Sequence, residues 1–289
     1  MRIRRLPFAA VAVAAALAMT ACGGGSGTST GGTTTQPKTF AAGSTMAKLS
    51  GAKKIKVGTK FDQPLFGLKP PSGKPEGFDT EIARIIASEL GIPDNGIEWI
   101  ETVSANREPF IQGGQVDIVV ATYTINDTRK QKVDFAGPYY VAGQSIMVLE
   151  KTNDIKGPDD LAGKKVCTVG GSTPEKNMKE KYPQAQLQVT DAYSKCLEPL
   201  RQGQVQAITT DNVILSGFMD QNPGEFKLVG DPFTKEPYGI GLKKGDTDFR
   251  MFINDVLDAS YKDGRWENAW KDTAGKVLAL PTPPKVDRY

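Results

Sequence analysis

From Lys53 onward the chain alternates short apolar runs with amphipathic stretches, and this alternation restricts it to the α/β class, in which helices cover a sheet. Ile55 to Gly58 reads as a strand. Asp79 to Leu90 reads as a helix, because Phe78, Ile82, Ile85, Ile86 and Leu90 recur on one face and Gly91 and Pro93 end it. Val116 to Thr122 is a nearly continuous apolar run, suited to a parallel strand buried on both faces. Ser145 to Leu149 is another strand. The pattern restarts at Lys165 to Val169, with a helix after Thr173 and strands near Leu187 to Thr190 and Val205 to Thr209. A faint internal echo accompanies the restart: Gly114 to Thr122 lines up with Gly203 to Asp211, each a turn followed by a buried strand. Two similar lobes explain it, and so does chance similarity of two βα units. These residues leave both open. In either case Thr122 and Asp211 fall at the carboxyl end of a strand, where open α/β sheets bind ligands.

The segment before Lys53 has a different design. Arg2, Arg4 and Arg5 precede an apolar run from Phe8 to Met19, which is the layout of a secretory signal peptide over residues 1–21 and too short to span a bilayer. Cys22 directly follows the small Ala21, as in the lipobox of bacterial lipoproteins, although Met19 stands where leucine is usual. That resemblance implies a diacylglycerol on Cys22. Gly23 to Pro37 is almost wholly Gly, Ser and Thr, so residues 22–52 are expected to form a flexible tether.

Two further cysteines, Cys167 and Cys196, are expected to pair in an exported protein. Their spacing excludes a CxxC metal or redox site. The formal charge of +3 comes from 36 basic and 33 acidic residues, and removal of Arg2, Arg4 and Arg5 leaves 33 against 33. No basic block for nucleic acid and no polybasic membrane patch is present. The chain has no histidine, so Ser-His-Asp and Cys-His nucleophile systems and the common zinc sites lose a principal component. No metal and no cofactor is expected.

Candidate binding residues cluster at strand ends. Thr122 and Thr124 are two apart, so both point to one side, and Arg129 follows; hydroxyls beside a guanidinium fork suit a carboxylate, although a Thr-rich turn with a solvated arginine has the same pattern. Gly170 to Glu175 joins a strand to a helix, with Ser172 and Glu175 spaced as a capping box and Pro174 in the first turn. Such a helix start suits an anion, or is merely well capped. Gly157 to Lys165 lacks the spacing and the Ser or Thr of a phosphate-binding loop.

Phe61 through Gly67, Gly77-Phe78-Asp79, Ser104 through Arg107, Thr124 through Arg129, Asp134 through Tyr140, Gly171 through Pro174 and Asp211 occur in one order. Together they resemble family 3 of the bacterial extracellular solute-binding proteins, the polar amino acid receptors of ABC importers, in their actinobacterial glutamate and glutamine branch. The resemblance covers Lys53 to about Trp270. It implies a periplasmic-binding-protein-like fold: two lobes, each a mostly parallel sheet flanked by helices, joined by two crossover strands that act as a hinge. Lobe 1 would comprise residues 53–142 and 238–289, and lobe 2 residues 143–237.

By the same resemblance Arg129 clamps the α-carboxylate of an amino acid, supported by Thr124 and by backbone groups near Ser172 and Thr173. Asp211 and Thr122 take the α-ammonium. Phe61 or Phe66 supplies an apolar wall, since Gln63 stands where relatives often carry the stacking aromatic. Arg107, with Lys60 and Ser104, meets the distal group, and Tyr193 completes the candidate set. Two cations aimed at one pocket favour a carboxylate over an amide, so glutamate ranks above glutamine, with aspartate and asparagine as alternatives. The implied partners are this ligand, the transmembrane subunits of an ABC permease and, through Cys22, the outer face of the cytoplasmic membrane. The protein is expected to be monomeric and not an enzyme; a dehydratase on the same fold is the alternative of another class. A sensor role is not expected, because no transmembrane helix or cytoplasmic module is read after Tyr289.

Overall fold

The computed structural model describes residues 38–289. The expected signal peptide, Cys22 and the Gly/Ser/Thr segment up to Pro37 lie outside the described residues. In chain order the first elements are α1 (Thr45–Ala52), β1 (Ile55–Thr59), the two-residue strands β2 (Asp62–Gln63) and β3 (Gly67–Leu68), α2 (Phe78–Glu89), β4 (Ile97–Glu101), α3 (Arg107–Gln112), β5 (Ile118–Val119), α4 (Asp127–Lys130) and β6 (Asp134–Ala142). Then come β7 (Gln144–Leu149), β8 (Lys165–Val169), α5 (Thr173–Lys181), β9 (Gln186–Thr190), α6 (Leu197–Arg201), β10 (Ala207–Asp211), α7 (Asn212–Gln221) and β11 (Phe226–Val229). β12 (Glu236–Leu242), α8 (Thr247–Asp263) and α9 (Arg265–Asp272) follow.

Two five-stranded sheets result, in the orders β4-β1-β5-β12-β6 and β11-β7-β10-β8-β9. Within them β1 pairs in parallel with β4 and β5, and β8 with β9 and β10. β12 runs antiparallel to β5 and β6, and β7 antiparallel to β10 and β11. Each sheet is therefore mixed, and the reason is topological. β7 and β12 enter their lobes from the cleft, so they oppose the strands whose carboxyl ends point toward it.

Helix α2 forms where the spacing predicts it: Phe78, Ile82, Ala83, Ile86 and Ala87 are buried. Its first turn meets an aromatic cluster in which Phe78 lies 5.0 Å from Trp270 and 5.6 Å from Trp266, with Phe66 and Tyr140 against the same rings. Burial of side chains this large stabilises by about 1.5–3 kcal/mol each.

Two expectations change. Residues 38–52 were expected to belong to the flexible tether, but Ser44 caps α1, Leu49 is buried, and Phe40 packs edge-on against Phe252 of α8. Phe40, Met46 and Leu49 supply the apolar area that the preceding Gly/Ser/Thr run lacks. The strand expected over 116–122 is laddered only at Ile118–Val119, because the chain turns at Thr122, where φ is +42°.

Candidate ligand-binding cleft

Each parallel strand delivers a polar residue to the seam between the lobes. β1 is followed by Lys60, β4 by Ser104 and Arg107, β5 by Thr122, β8 by Ser172 and Thr173, and β9 by Tyr193, while β10 ends on Asp211. All of these except Lys60 line one cavity, which Thr210 and Ile214 also face. Its walls leave about 10 Å³, the room of about one water. An amino acid therefore enters only when the lobes part. The closed seam is held by side chains from lobe 1. Arg129 and Arg107 both donate to the carbonyl of Gly171, at 3.0 and 3.4 Å, and Thr124 Oγ1 lies 3.2 Å from Thr173 Oγ1. Gly171 has φ +75°, and a Cβ there would stand 2.8 Å from Ala105 Cα, so only glycine permits this approach.

On the lobe 1 side, Arg107 is 2% exposed rather than lying on the surface. Its guanidinium donates to the carbonyls of Ser104, Ala121 and Thr122 at 3.1–3.2 Å and covers the Tyr123 ring at 4.3 Å. Lys60 donates to Ser104 Oγ at 2.9 Å, and burial together with the Arg107 charge holds its ammonium down to about 7. Behind them Asp79 accepts from the Thr122 N–H at 2.7 Å and from the Tyr139 hydroxyl at 2.5 Å. Burial pushes Asp79 up to about 7 against the pull of those two bonds and of Lys60 and Arg107. Thr122 Oγ1 donates to Gln63 Oε1 at 2.9 Å. A β-branched residue at positive φ costs about 1–3 kcal/mol, which the surroundings must offset.

The opposite wall is acidic. Asp211 Oδ2 accepts from the Tyr238 hydroxyl at 2.5 Å, while Oδ1, the Tyr193 hydroxyl and Thr210 Oγ1 are buried with no partner among the described residues. Orphaned polar atoms at this density are costly in a native fold. Burial, and next the Glu236 charge, push Asp211 up to about 7. The disulfide Cys167–Cys196 joins β8 to the turn that carries Tyr193.

The model of a protein family described as bacterial extracellular solute-binding proteins, family 3, matches residues 55–272. This chain belongs to that family. Among family relatives, the glutamate-binding protein GluB of Corynebacterium efficiens is 42% identical over 233 residues, which cover 77% of this chain and 79% of that protein. The ABC transporter glutamine-binding protein GlnH of Bacillus subtilis is 42% identical over 229 residues, covering 78% and 83%. An ancestral arginine-binding protein bound to glutamine superimposes with a TM-score of 0.72 at 36% identity, covering 76% of this chain and 97% of that one. The two-lobed fold is that of these solute-binding proteins.

Within this family 3 protein seven of the twelve expected site residues line the cavity, Lys60 and Thr124 bond to residues that line it, and three are set apart. Phe66 is fully buried among Phe78, Tyr140, Tyr238 and Trp270 and is a core residue, not a cleft wall. Phe61 stacks under Lys69 at 4.9 Å and does not line the cavity. Arg129 lies beside the cavity, in a neighbouring groove, donating to the Thr124 carbonyl at 2.7 Å and paired with Glu108 at 3.2 Å. Burial and the neighbouring Arg107 hold it down to about 10. Ser172 does cap α5, accepting from the Glu175 N–H at 3.0 Å, while Glu175 reaches back to the Gly171 N–H at 2.7 Å. Sequence reasoning missed Thr210, Ile214, Glu108 and Asp79. Asp79 left one signal, a carboxylate in the first turn of a helix between apolar neighbours.

Proposed function

We propose that this protein captures an amino acid, L-glutamate foremost, in the interlobe cleft and delivers it to the transmembrane subunits of an ABC importer, acting as a monomer held to the outer face of the cytoplasmic membrane by lipid on Cys22. The observation that carries the ligand reading is the polarity of the cavity. Asp211, whose Oδ1 is an acceptor without a partner among the described residues, lines it from lobe 2, and Arg107, with Lys60 behind Ser104, lines it from lobe 1. An α-ammonium satisfies the first wall and a distal carboxylate the second. Arg129, beside Thr124 and Thr173, is the group assigned to the α-carboxylate on the family's pattern. The relative named for glutamate binding supports this reading.

A glutamine reading also has support: the GlnH relative is as similar as GluB, and Lys60 carries only part of its charge near neutral pH. Titration calorimetry with glutamate, glutamine, aspartate and asparagine separates the two. Glutamate should bind most tightly, and Arg107→Met should weaken it tenfold or more, about the 1.5–3 kcal/mol of a charged hydrogen bond, while glutamine loses less. Equal losses, or a wild-type preference for glutamine, overturn the glutamate assignment. An unmodified N-terminus in the mass spectrum of the membrane fraction would dispose of the lipid anchor.

A further inference from the structure

We infer that Asp79, which does not itself line the cavity, is a positioning residue that sets side-chain selectivity by holding the Thr122 backbone in the conformation that presents Arg107. The chain of contacts is continuous. Asp79 is fully buried in the first turn of α2, and its two carboxylate oxygens are each spoken for, one by the Tyr139 hydroxyl at 2.5 Å and one by the Thr122 N–H at 2.7 Å. Thr122 is β-branched and stands at φ +42°, a region such residues avoid. In an unconstrained chain it would leave that region, so something must hold it, and the bond to Asp79 is the polar contact that fixes its N–H. The conformation brings the carbonyls of Ala121 and Thr122 to the same nitrogen of Arg107, each at 3.1 Å. With Nε on the Ser104 carbonyl at 3.2 Å, the guanidinium plane is fixed, and its remaining nitrogen turns toward Gly171 in the other lobe.

Asp79 acts here by the two hydrogen bonds it accepts, a role that does not require its charge. Lys60 and Arg107 are the cations close enough to stabilise its ionised form, and Tyr139 and Tyr238 are the other titratable groups around it. A rigidly held Arg107, with Lys60 bonded behind Ser104, favours a single distal carboxylate. A loosened pair would tolerate an amide, because its donors could swing aside. The selectivity of the cleft thus depends on a carboxylate one layer behind it.

The inference rests on the reading of Arg107 as the distal-group residue, and the test separates the two. Glutamate and glutamine affinities are measured by calorimetry for the wild type, Asp79→Ala, Asp79→Asn and Tyr139→Phe, each checked for folding by near-ultraviolet circular dichroism. Asp79→Ala should lower the ratio of glutamate to glutamine affinity at least tenfold. Asp79→Asn, whose amide can still accept from Thr122 and donate to Tyr139, should restore most of the ratio. If Asp79→Ala does not fold, Tyr139→Phe, which removes one of the two anchors, should shift the ratio at least threefold in the same direction. A merely structural role would weaken both ligands alike, so an unchanged ratio in every folded variant overturns the proposal, as does an Asp79→Asn protein no better than Asp79→Ala. A wild type that prefers glutamine sinks the glutamate reading alone, since the change in ratio on altering Asp79 still judges this one.

Discussion

Asp211 is 3% exposed, and its carboxyl is raised from 3.8 to about 7, first by burial and then by Glu236. The folded protein consequently binds more protons than the unfolded chain between those values, so this group's contribution to stability, fully present below about 4, is lost as pH rises through 7. Asp79 acts with the same sign. Lys60 acts at higher pH: its ammonium is lowered from 10.5 to about 7, so its penalty is present below 7 and relieved as pH rises toward 10.5. Without ligand, the melting temperature of Asp211→Asn relative to wild type should rise between pH 5 and pH 8. A constant difference across thermal melts in that range would show that Asp211 is not so perturbed. On the proposed reading the ligand ammonium meets Asp211 and needs its ionised carboxylate. Amino acid affinity should therefore fall as pH drops below about 7, approaching tenfold per unit, and calorimetry from pH 5 to 8 measures it.

Among the elements, the β8 strand and the turn at Tyr193–Cys196 depend on one another through the disulfide, whose cysteines are 29 residues apart. Closing a loop of that length stabilises by about 3–4 kcal/mol in the chain-entropy account. Replacing both cysteines, as in Cys167→Ala with Cys196→Ala, should lower the unfolding free energy by about that amount in urea titrations. It should also weaken ligand binding, because the same turn presents Tyr193 to the cavity. Unchanged affinity in the folded double variant would mean that the turn holds its place without the bond. The elements legible in the sequence were those whose apolar spacing repeats over several turns or a full strand: α2 and β8 lie within a residue of expectation. β5 was overestimated because the apolar residues Val120 and Ala121 continue after strand pairing ends at Val119, just before the chain turns at Thr122. α1 was missed because its packing partner, α8, lies about two hundred residues away.

For the whole molecule the decisive quantity is the balance between parted and closed lobes. The closed seam brings Gly171 against Ala105 and under two arginines, and α7 meets the β2 turn where a Cβ on Gly217 would stand 2.7 Å from the Pro64 carbonyl oxygen. Gly171→Ala adds a methyl where the backbones nearly touch and forces a side chain into positive φ, about 1–2 kcal/mol by itself. This variant should bind its ligand at least tenfold more weakly, with every residue that lines the polar walls intact. Saturating ligand should contract the wild type in small-angle scattering and contract the variant less, and it should raise the variant's melting temperature less at equal concentration. Equal contraction and equal affinity would mean that closure does not need this contact.

The sequence by itself determined the α/β class, the polar residues at the strand ends and the pairing of the two cysteines, because these follow from local spacing, from the rule that ligands meet carboxyl ends, and from counting thiols. Only the tertiary structure decided which candidates meet. Phe61 and Phe66 are five residues apart and equally aromatic, yet one lies under a lysine and the other in the core. Arg107 and Arg129 read alike as cations near a strand end, but only Arg107 lines the cavity, since Arg129 is drawn aside by Glu108 and the Thr124 carbonyl. Asp79 acquires its role from Tyr139 and Thr122, which are distant in the chain. Contacts of that range are set by how two sheets and a hinge bring strand ends together, and no local pattern carries them.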